Sequence, residues 1–347
     1  MAEDMAIAPM LAPRPKRFGL DRRTITASCL GLAVALFATV LLVVPTARQI
    51  VGVIIDDTLY EPADWAELLG FSLPLMITSL GASICFRGQA FNLGLESQVI
   101  LGAAVASLVG AAFSSLWSPA HIALLLVAGG ITGGIVAGFL GWLYTRFGID
   151  IIVTSLLSNY VISYLVTYLA NYPFRDPSRF NGAMFAIAPG AELPSLVAGT
   201  ELTWGIAPAV LIITFLWWTI HRAKLGRDLT LAGQSTTVAL ATGLNPRALK
   251  ISAIVASGFL AGFAGALLVS ASQHRYFVNL ATGVGFSAVL VAMTARYRIL
   301  AAVIVSLVYS WMYLAADSLE QEAQIPAELA QIIIVFIVIS MTVRPKR

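Results

Sequence analysis

Uninterrupted apolar runs, each bounded by a few polar or charged residues, follow one another along this chain. They cover residues 27–45, 68–86, 98–115, 121–145, 151–170, 204–220, 251–270, 283–295, 300–316 and 327–343. Runs of about 17 to 25 residues fit the hydrocarbon core of a bilayer as helices. The run 283–295 is short and is expected to begin in an irregular segment buried within the protein. The pattern predicts an all-α, polytopic integral membrane protein of about ten transmembrane helices. Residues 1–26 read as a polar tail and 27–343 as one membrane domain. The first run is long for a signal peptide and lacks a small-x-small cleavage site, so a retained first helix is expected.

Composition agrees with the pattern. Of 347 residues, 59% are hydrophobic and 11% charged, with mean hydropathy +0.86. A soluble domain carries roughly 25% charged residues. No polar stretch is long enough to fold as a separate domain. The longest loop, 171–203, is rich in Pro, Gly and aromatic residues. Net charge is only +3 and gives no reason to expect a nucleic-acid partner. Cys29 and Cys85 sit inside apolar runs without metal-ligand spacing and read as packing residues.

The placement of charge is more telling than its sum. With ten helices and a cytoplasmic N-terminus, 17 of the 21 Lys and Arg residues fall on the inside. Only Arg48, Arg175, Arg179 and Arg275 fall outside, together with the acidic stretches around Asp57 and Glu320. This is the asymmetry that orients membrane proteins, and it puts both termini in the cytoplasm. Small residues recur at four-residue spacing: Gly130, Gly134 and Gly138, with Gly129 and Gly133 beside them, and Gly258, Gly262 and Ala266. Such rows let helix backbones approach closely in lipid.

The chemistry concentrates in Phe91-Asn92-Leu93-Gly94-Leu95-Glu96-Ser97-Gln98, between two apolar runs. A carboxylate at membrane depth is costly and needs a partner. Asn92 and Gly94 leave helical geometry easily. The stretch reads as a membrane helix that starts through a broken, polar first turn, with Asn92 and Glu96 on one face if the segment is helical. The alternative is a cytoplasmic loop whose solvated Glu96 caps the next helix. A second interrupted stretch, Asn279-Leu280-Ala281-Thr282-Gly283, precedes the short run 283–295. The first break faces the cytoplasm and the second the outside, which is the arrangement of an inverted repeat.

Several functions lack their residues. There is no G-x-x-x-x-G-K-[ST] and no H-E-x-x-H, and His121, His221 and His274 lie at expected helix ends. Glu96 is nearly alone as an ionisable group within the runs, whereas ion-driven transporters carry several. The energy source is therefore expected outside this chain. The polar segment 222–250 contains Leu225-Gly226-Arg227, Gln234, Ala239 and Gly243, with Ser235 or Thr236 placed to cap a short helix ending before Gly243. A short helix with glycine hinges at the inner mouth suits a lever moved by a soluble partner; a plain connector is the other reading.

With these residues in view the chain resembles the permease subunits of ATP-binding-cassette importers. It is similar to the branch that serves branched-chain amino acids, simple sugars and nucleosides, and most to the nucleoside type. The opening motif of that branch, approximately F-N-I-G-A-E-G-Q, stands here as Phe91 to Gln98. A T-x-x-x-x-N-Y pattern stands as Thr154 to Tyr160, with Asn159. The coupling pattern stands as Leu225-Gly226, Ala232-Gly233-Gln234 and Ala239 to Gly243. The chain departs from the branch at Ser97 and Ala288, where glycine is usual, at Ser287, where an acid is usual, and at Leu231 and Ser235. These departures leave the transporter class in place and the solute open.

The resemblance implies a division of labour. This chain supplies half of a solute path and one coupling segment, 222–250, and no covalent chemistry. A second related permease, the partner in a heterodimer by that resemblance, supplies the other half. Two cytoplasmic ATPases bind ATP and magnesium, so no cofactor is expected in this chain. A periplasmic or lipid-anchored binding protein delivers a nucleoside or simple sugar, and the assembly sits in the lipid of a bacterial inner membrane. Phe91, Asn92, Glu96, Gln98 and Asn159 then line the path or brace the helix break. Leu225, Gly226, Arg227, Gln234, Ala239 and Gly243 couple to the ATPase. A stand-alone secondary transporter or channel is the alternative.

Overall fold

The computed structural model describes residues 60–179 and 182–323. The tail 1–26, the first and tenth apolar runs and Cys29 lie outside the described residues. Among these residues every regular element is a helix, with three isolated β-bridges and no strand. All eight inner apolar runs are helices. They are α1 (Pro62–Arg87), α2 (Leu95–Ala112), α3 (Ser118–Phe147), α4 (Ile151–Asn171), α5 (Ile206–His221), α8 (Pro246–Leu268), α9 (Val284–Thr294) and α10 (Ile299–Ala323). Two short helices, α6 (Lys224–Gln234) and α7 (Thr236–Ala241), lie between α5 and α8. Among the described residues six helices are long and apolar enough to cross a membrane, and a seventh span arises if α5 and α6, bent by 64°, count as one.

Helix α1 starts six residues before the apolar run, at Pro62. The Asp64 carboxylate accepts the Glu61 N–H at 2.8 Å. An acid in the first turn complements the helix N-terminus, so a stretch that reads as an acidic loop becomes helix. Almost all of α1 from Leu68 onward is buried, and α8, α9 and α10 pack around it. Helix α8 is the second axis of the bundle, with α1, α2 and α3 against it.

The join between α8 and its neighbours is made by missing side chains. A Cβ at Gly262 would overlap the Gly129 carbonyl, and one at Gly102 would overlap the Gly262 carbonyl. One at Gly133 would overlap the Gly258 carbonyl, and one at Gly265 that of Val99. The close seam on α3 therefore runs through Gly129 and Gly133. The row Gly130, Gly134 and Gly138 lies instead over the side chains of Phe259 and Val255.

The loops sort to two ends. At one, Arg87 Nε donates to the Tyr297 carbonyl at 3.1 Å, and Gly233 of α6 lies directly against the Arg87 carbonyl. At the other, segment 171–203 packs on 274–283. Met184 N–H donates to Tyr276 O and Ile187 N–H to His274 O, each at 2.8 Å, and Arg275 pairs with Asp176 at 3.0 Å. These are the two loop groups that the basic residues separate in the sequence.

Helix α4 differs from the rest. It packs on α2 and, less, on α3 through one narrow face of Ser155, Asn159, Ile162 and Val166. Tyr160, Tyr164, Tyr168 and Tyr172 follow at four-residue spacing down an exposed edge, 57–74% open. The outward face of α3 over the same depth carries Ile131, Ile135, Phe139 and Trp142.

Candidate functional site

Residues 88–94 are not helical. Gln89 has positive φ, and α2 begins only at Leu95. Asn92 thus lies before the helix and Glu96 within it, so the two do not share a helix face. They point to different neighbours. Asn92 Nδ2 donates to Ser257 Oγ of α8 at 2.9 Å and to Gln98 Oε1 at 3.1 Å, and Asn92 Oδ1 accepts the Gly94 N–H at 3.0 Å. Ser257 is eleven residues into α8, about 16 Å along its axis. The break therefore reaches well into the bundle.

Asn159 of α4 holds the start of α2 from outside. Its Oδ1 accepts the Ser97 N–H at 3.0 Å, and its Nδ2 donates to the Leu93 carbonyl at 2.9 Å. Ser155 Oγ accepts the Leu93 N–H at 3.0 Å, and Ser158 Oγ lies 3.2 Å from Ser97 Oγ. A helix N-terminus leaves N–H groups without intrahelical partners. Here a neighbouring helix supplies the acceptor.

Glu96 does the same for α9. One carboxylate oxygen accepts the Gly283 N–H at 2.5 Å; the other accepts the Gly285 N–H at 2.7 Å and the Phe286 N–H at 3.4 Å. Glu96 is 5% exposed, so it is not a solvated loop charge. Its negative charge sits at the positive end of the α9 dipole, which favours it there. Two glycines make the approach. Gly283 has φ +91°, a conformation that disfavours any side chain. A Cβ at Gly285 would overlap the Glu96 backbone. With eleven residues, α9 is about 16 Å long, roughly half a hydrocarbon core. Its start and the start of α2 meet inside the bundle, one break reached from each end.

The remaining sequence-derived residues divide. Gln98 is fully buried against Asn92, and Phe91 packs its ring on Phe86 at 5.2 Å. In the segment 222–250, Ser235 Oγ accepts the Val238 N–H at 3.3 Å at the start of α7, and Gly243 takes φ +77° just past its end. The last five residues of that segment, from Pro246, already belong to α8, capped by Asn245. Leu225, Arg227, Gln234 and Gly243 are exposed. Gly226 is buried against the end of α5, and Ala239 is 0% exposed. Ala239 is thus part of the chain's own packing, and the large apolar residues that α7 turns outward are Val238 and Leu240. Sequence reasoning placed Gly283 at the second break without its partner Glu96, and missed Ser155, Ser158, Ser257 and Gly285. The two glycines flanking Val284 at the start of a short apolar run were the available signal.

Among the described residues no group of His, Cys, Asp and Glu is placed to hold a metal ion. The arrangement can keep two interrupted helices in register inside a membrane. Residues 65–342 match the family model described as branched-chain amino acid transport system / permease component. The chain belongs to this family. It is a multi-pass permease subunit of an ABC transporter, and the family implies an ATPase partner and usually a binding protein. The permease is 27% identical over 294 residues to the glucose ABC transporter permease protein TsgB13 of Haloferax volcanii, covering 81% of this chain and 77% of the relative. It is 25% identical over 271 residues to the guanosine ABC transporter permease protein NupP of Bacillus subtilis, covering 77% of each. The nucleoside ABC transporter permease protein NupC of Lactococcus lactis subsp. cremoris is 22% identical over 267 residues, covering 70% of this chain and 78% of the relative. No solved structure matches the chain.

Proposed function

We propose that this permease is one of two related transmembrane subunits of an importer for a nucleoside or simple sugar. The family match over residues 65–342 carries this reading. The solute class is supported by relatives named for glucose, guanosine and nucleosides. ATP and magnesium belong to two cytoplasmic ATPases and not to this chain. The chain has ten spans with both termini in the cytoplasm of a bacterial inner membrane, supported by the distribution of Lys and Arg. Domain 27–343 is the permease, after a tail at 1–26. The two breaks that meet at Glu96 belong to an inverted repeat.

Asn92, Glu96, Gln98 and Asn159 act as braces for the breaks, with Phe91 packing beside them. The path runs along the tyrosine edge of α4, since a row of phenolic hydroxyls along an apolar span suits a wet or subunit-facing surface better than lipid. Coupling uses the exposed residues Leu225, Arg227, Gln234, Val238, Leu240 and Gly243, with Gly226 and Ala239 supporting them from within.

The test is reconstitution of the permease pair with its ATPases and binding protein in liposomes. Uptake of guanosine or glucose should require ATP and stop with a hydrolysis-dead ATPase. Uptake under an ion gradient without the ATPases would mark a secondary transporter instead. Leu240→Glu should release the ATPase while the permease still inserts. Single cysteines at Ser178 and Thr237 should label from outside and inside respectively; labelling of both from outside would overturn the ten-span topology.

A further inference from the structure

Between α1, α8, α9 and α10 lies a cavity of about 330 Å³ that the helix-break braces do not occupy. We propose that it binds an uncharged nucleoside, admitted from the loop side opposite α6 and α7. This rests on the solute class proposed above and adds a site within a single subunit.

The wall has the features of a ligand site and not of a packing gap. Gaps left by imperfect packing are lined by aliphatic groups and stay dry. Here Ser310 is 0% exposed, lines the cavity, and its Oγ has no hydrogen-bond partner. A buried hydroxyl in that condition awaits a partner. On the facing helix Ser287 Oγ pairs with Tyr309 OH at 2.9 Å, and both line the space. The rings of Phe71 and Tyr313 stack at 5.4 Å and form an aromatic plate on one side. Aromatic faces with a few fixed hydroxyls suit a flat ring carrying hydroxyl groups. The volume is at the lower end of the roughly 300–1,000 Å³ of small-molecule sites.

The mouth sets the charge. Glu201, Ala271 and Ser272 line both this cavity and an outer vestibule of about 630 Å³. Glu201 is held there by Ser272 Oγ at 2.9 Å, and Glu67 and Glu192 also line the vestibule. No Lys or Arg lines either space among the described residues. Three carboxylates, with His274 beside them and no lining Lys or Arg among the described residues, repel phosphate. They favour a nucleoside over its nucleotide. The inner wall includes Thr282, Gly283 and Val284 at the start of α9, whose Gly283 N–H Glu96 holds. An occupant therefore touches the same strut that the break region fixes.

The experiment measures binding of radiolabelled guanosine to the purified permease–ATPase complex in nanodiscs, without nucleotide and without binding protein. Glucose and guanosine monophosphate serve as competitors. The proposal expects saturable guanosine binding that neither competitor displaces. Ser310→Met, which fills the cavity, should weaken it at least tenfold, and Tyr313→Leu severalfold. If Ser310→Met does not assemble, Ser310→Ala should still weaken binding severalfold. Glu201→Gln keeps the acceptor for Ser272 and should let guanosine monophosphate compete. Ile135→Ala, on the outward face of α3, should bind like the parent. No saturable binding, displacement by glucose, or binding unchanged in both Ser310 and Tyr313 variants would overturn the proposal. Because ATP-driven uptake is scored separately, a complex that imports guanosine without these effects loses the cavity and keeps the transporter.

Discussion

Two ways of joining helices meet on α2. Its middle touches α8 at Gly102 and Gly262, backbone on backbone, with no polar side chain involved. Its start touches α4 and α9 through Asn159, Ser97 and Glu96, side chain on backbone. In lipid, apolar faces gain little by meeting each other, so close packing and hydrogen bonds must do the joining. The seam uses the first and the start uses the second. The seam has no tolerance for volume, because a Cβ has nowhere to go. The start is also tight at Gly285, where a Cβ would overlap the Glu96 backbone, but it depends in addition on its acceptors, because the N–H groups they serve have no water to turn to.

The sharpest break of this contrast is Gly262→Val. It should push α8 off both α2 and α3 and remove folded protein from a detergent gel-filtration profile, at a cost of about 3 kcal/mol or more. Gly134→Ala is its control. The added Cβ would find its nearest neighbour at 3.6 Å, ordinary contact, and the profile should match the parent. If both variants behave alike, the seam is not where the structure puts it.

Next in size is Glu96→Ala. It leaves the Gly283 and Gly285 N–H groups unpaired, which should cost about 1–3 kcal/mol and lower the melting temperature of the purified complex by several degrees. Glu96→Gln keeps one acceptor oxygen and should recover about half of the loss. A melting temperature equal to the parent in Glu96→Ala would mean that α9 is held by packing alone.

Asn159→Leu should cost less, about 1–2 kcal/mol, since Ser155 still accepts the Leu93 N–H. Its signature is local: a cysteine at Ser163 should become more reactive as α4 loosens from α2. Unchanged reactivity would assign α4 to the seam type of join.

The smallest effect lies outside the membrane and tests whether polar joins there obey the same logic. The Ser178 hydroxyl and N–H, and then Arg275, hold the Asp176 carboxyl below its ordinary value. A carboxylate with a lowered value stabilises the fold above the ordinary carboxylate range and loses that contribution as pH falls through the lowered value. Docking of loop 171–203 on 274–283, followed by limited proteolysis, should therefore be flat from pH 7 to 5 and weaken below about pH 4. Asp176→Asn should remove the pH step.

The seam and the start were not equally legible in the sequence. Hydropathy and length located all eight inner helices because both are local properties. The glycine rows were visible too, but Gly129–Gly133 and Gly130–Gly134–Gly138 repeat with the same spacing. Only the position of α8 tells which row it meets. The start of α2 was recognisable as a polar interruption, yet its helix begins at Leu95 and not at Asn92, so the expected shared face does not form. The partner of Glu96 lies 187 residues away, and no local rule pairs it with Gly283. The early start of α1 was missed because acids near a helix N-terminus look like a loop when hydropathy is counted. In α6 and α7 the cap Ser235 and the hinge Gly243 were readable, while the burial of Ala239 follows from the packing of α7 on α6 and α8, which no local pattern shows.

Helix α7 commits one of its six residues, Ala239, to the interior and leaves Val238 and Leu240 outward at 49% and 60% exposure. The outward pair can therefore be changed without disturbing the scaffold beneath. Under the coupling role proposed for this segment, exchange of docking partners needs few mutations, and a hybrid in which only residues 237–242 are transplanted is a practical route to pairing one permease with another's ATPase.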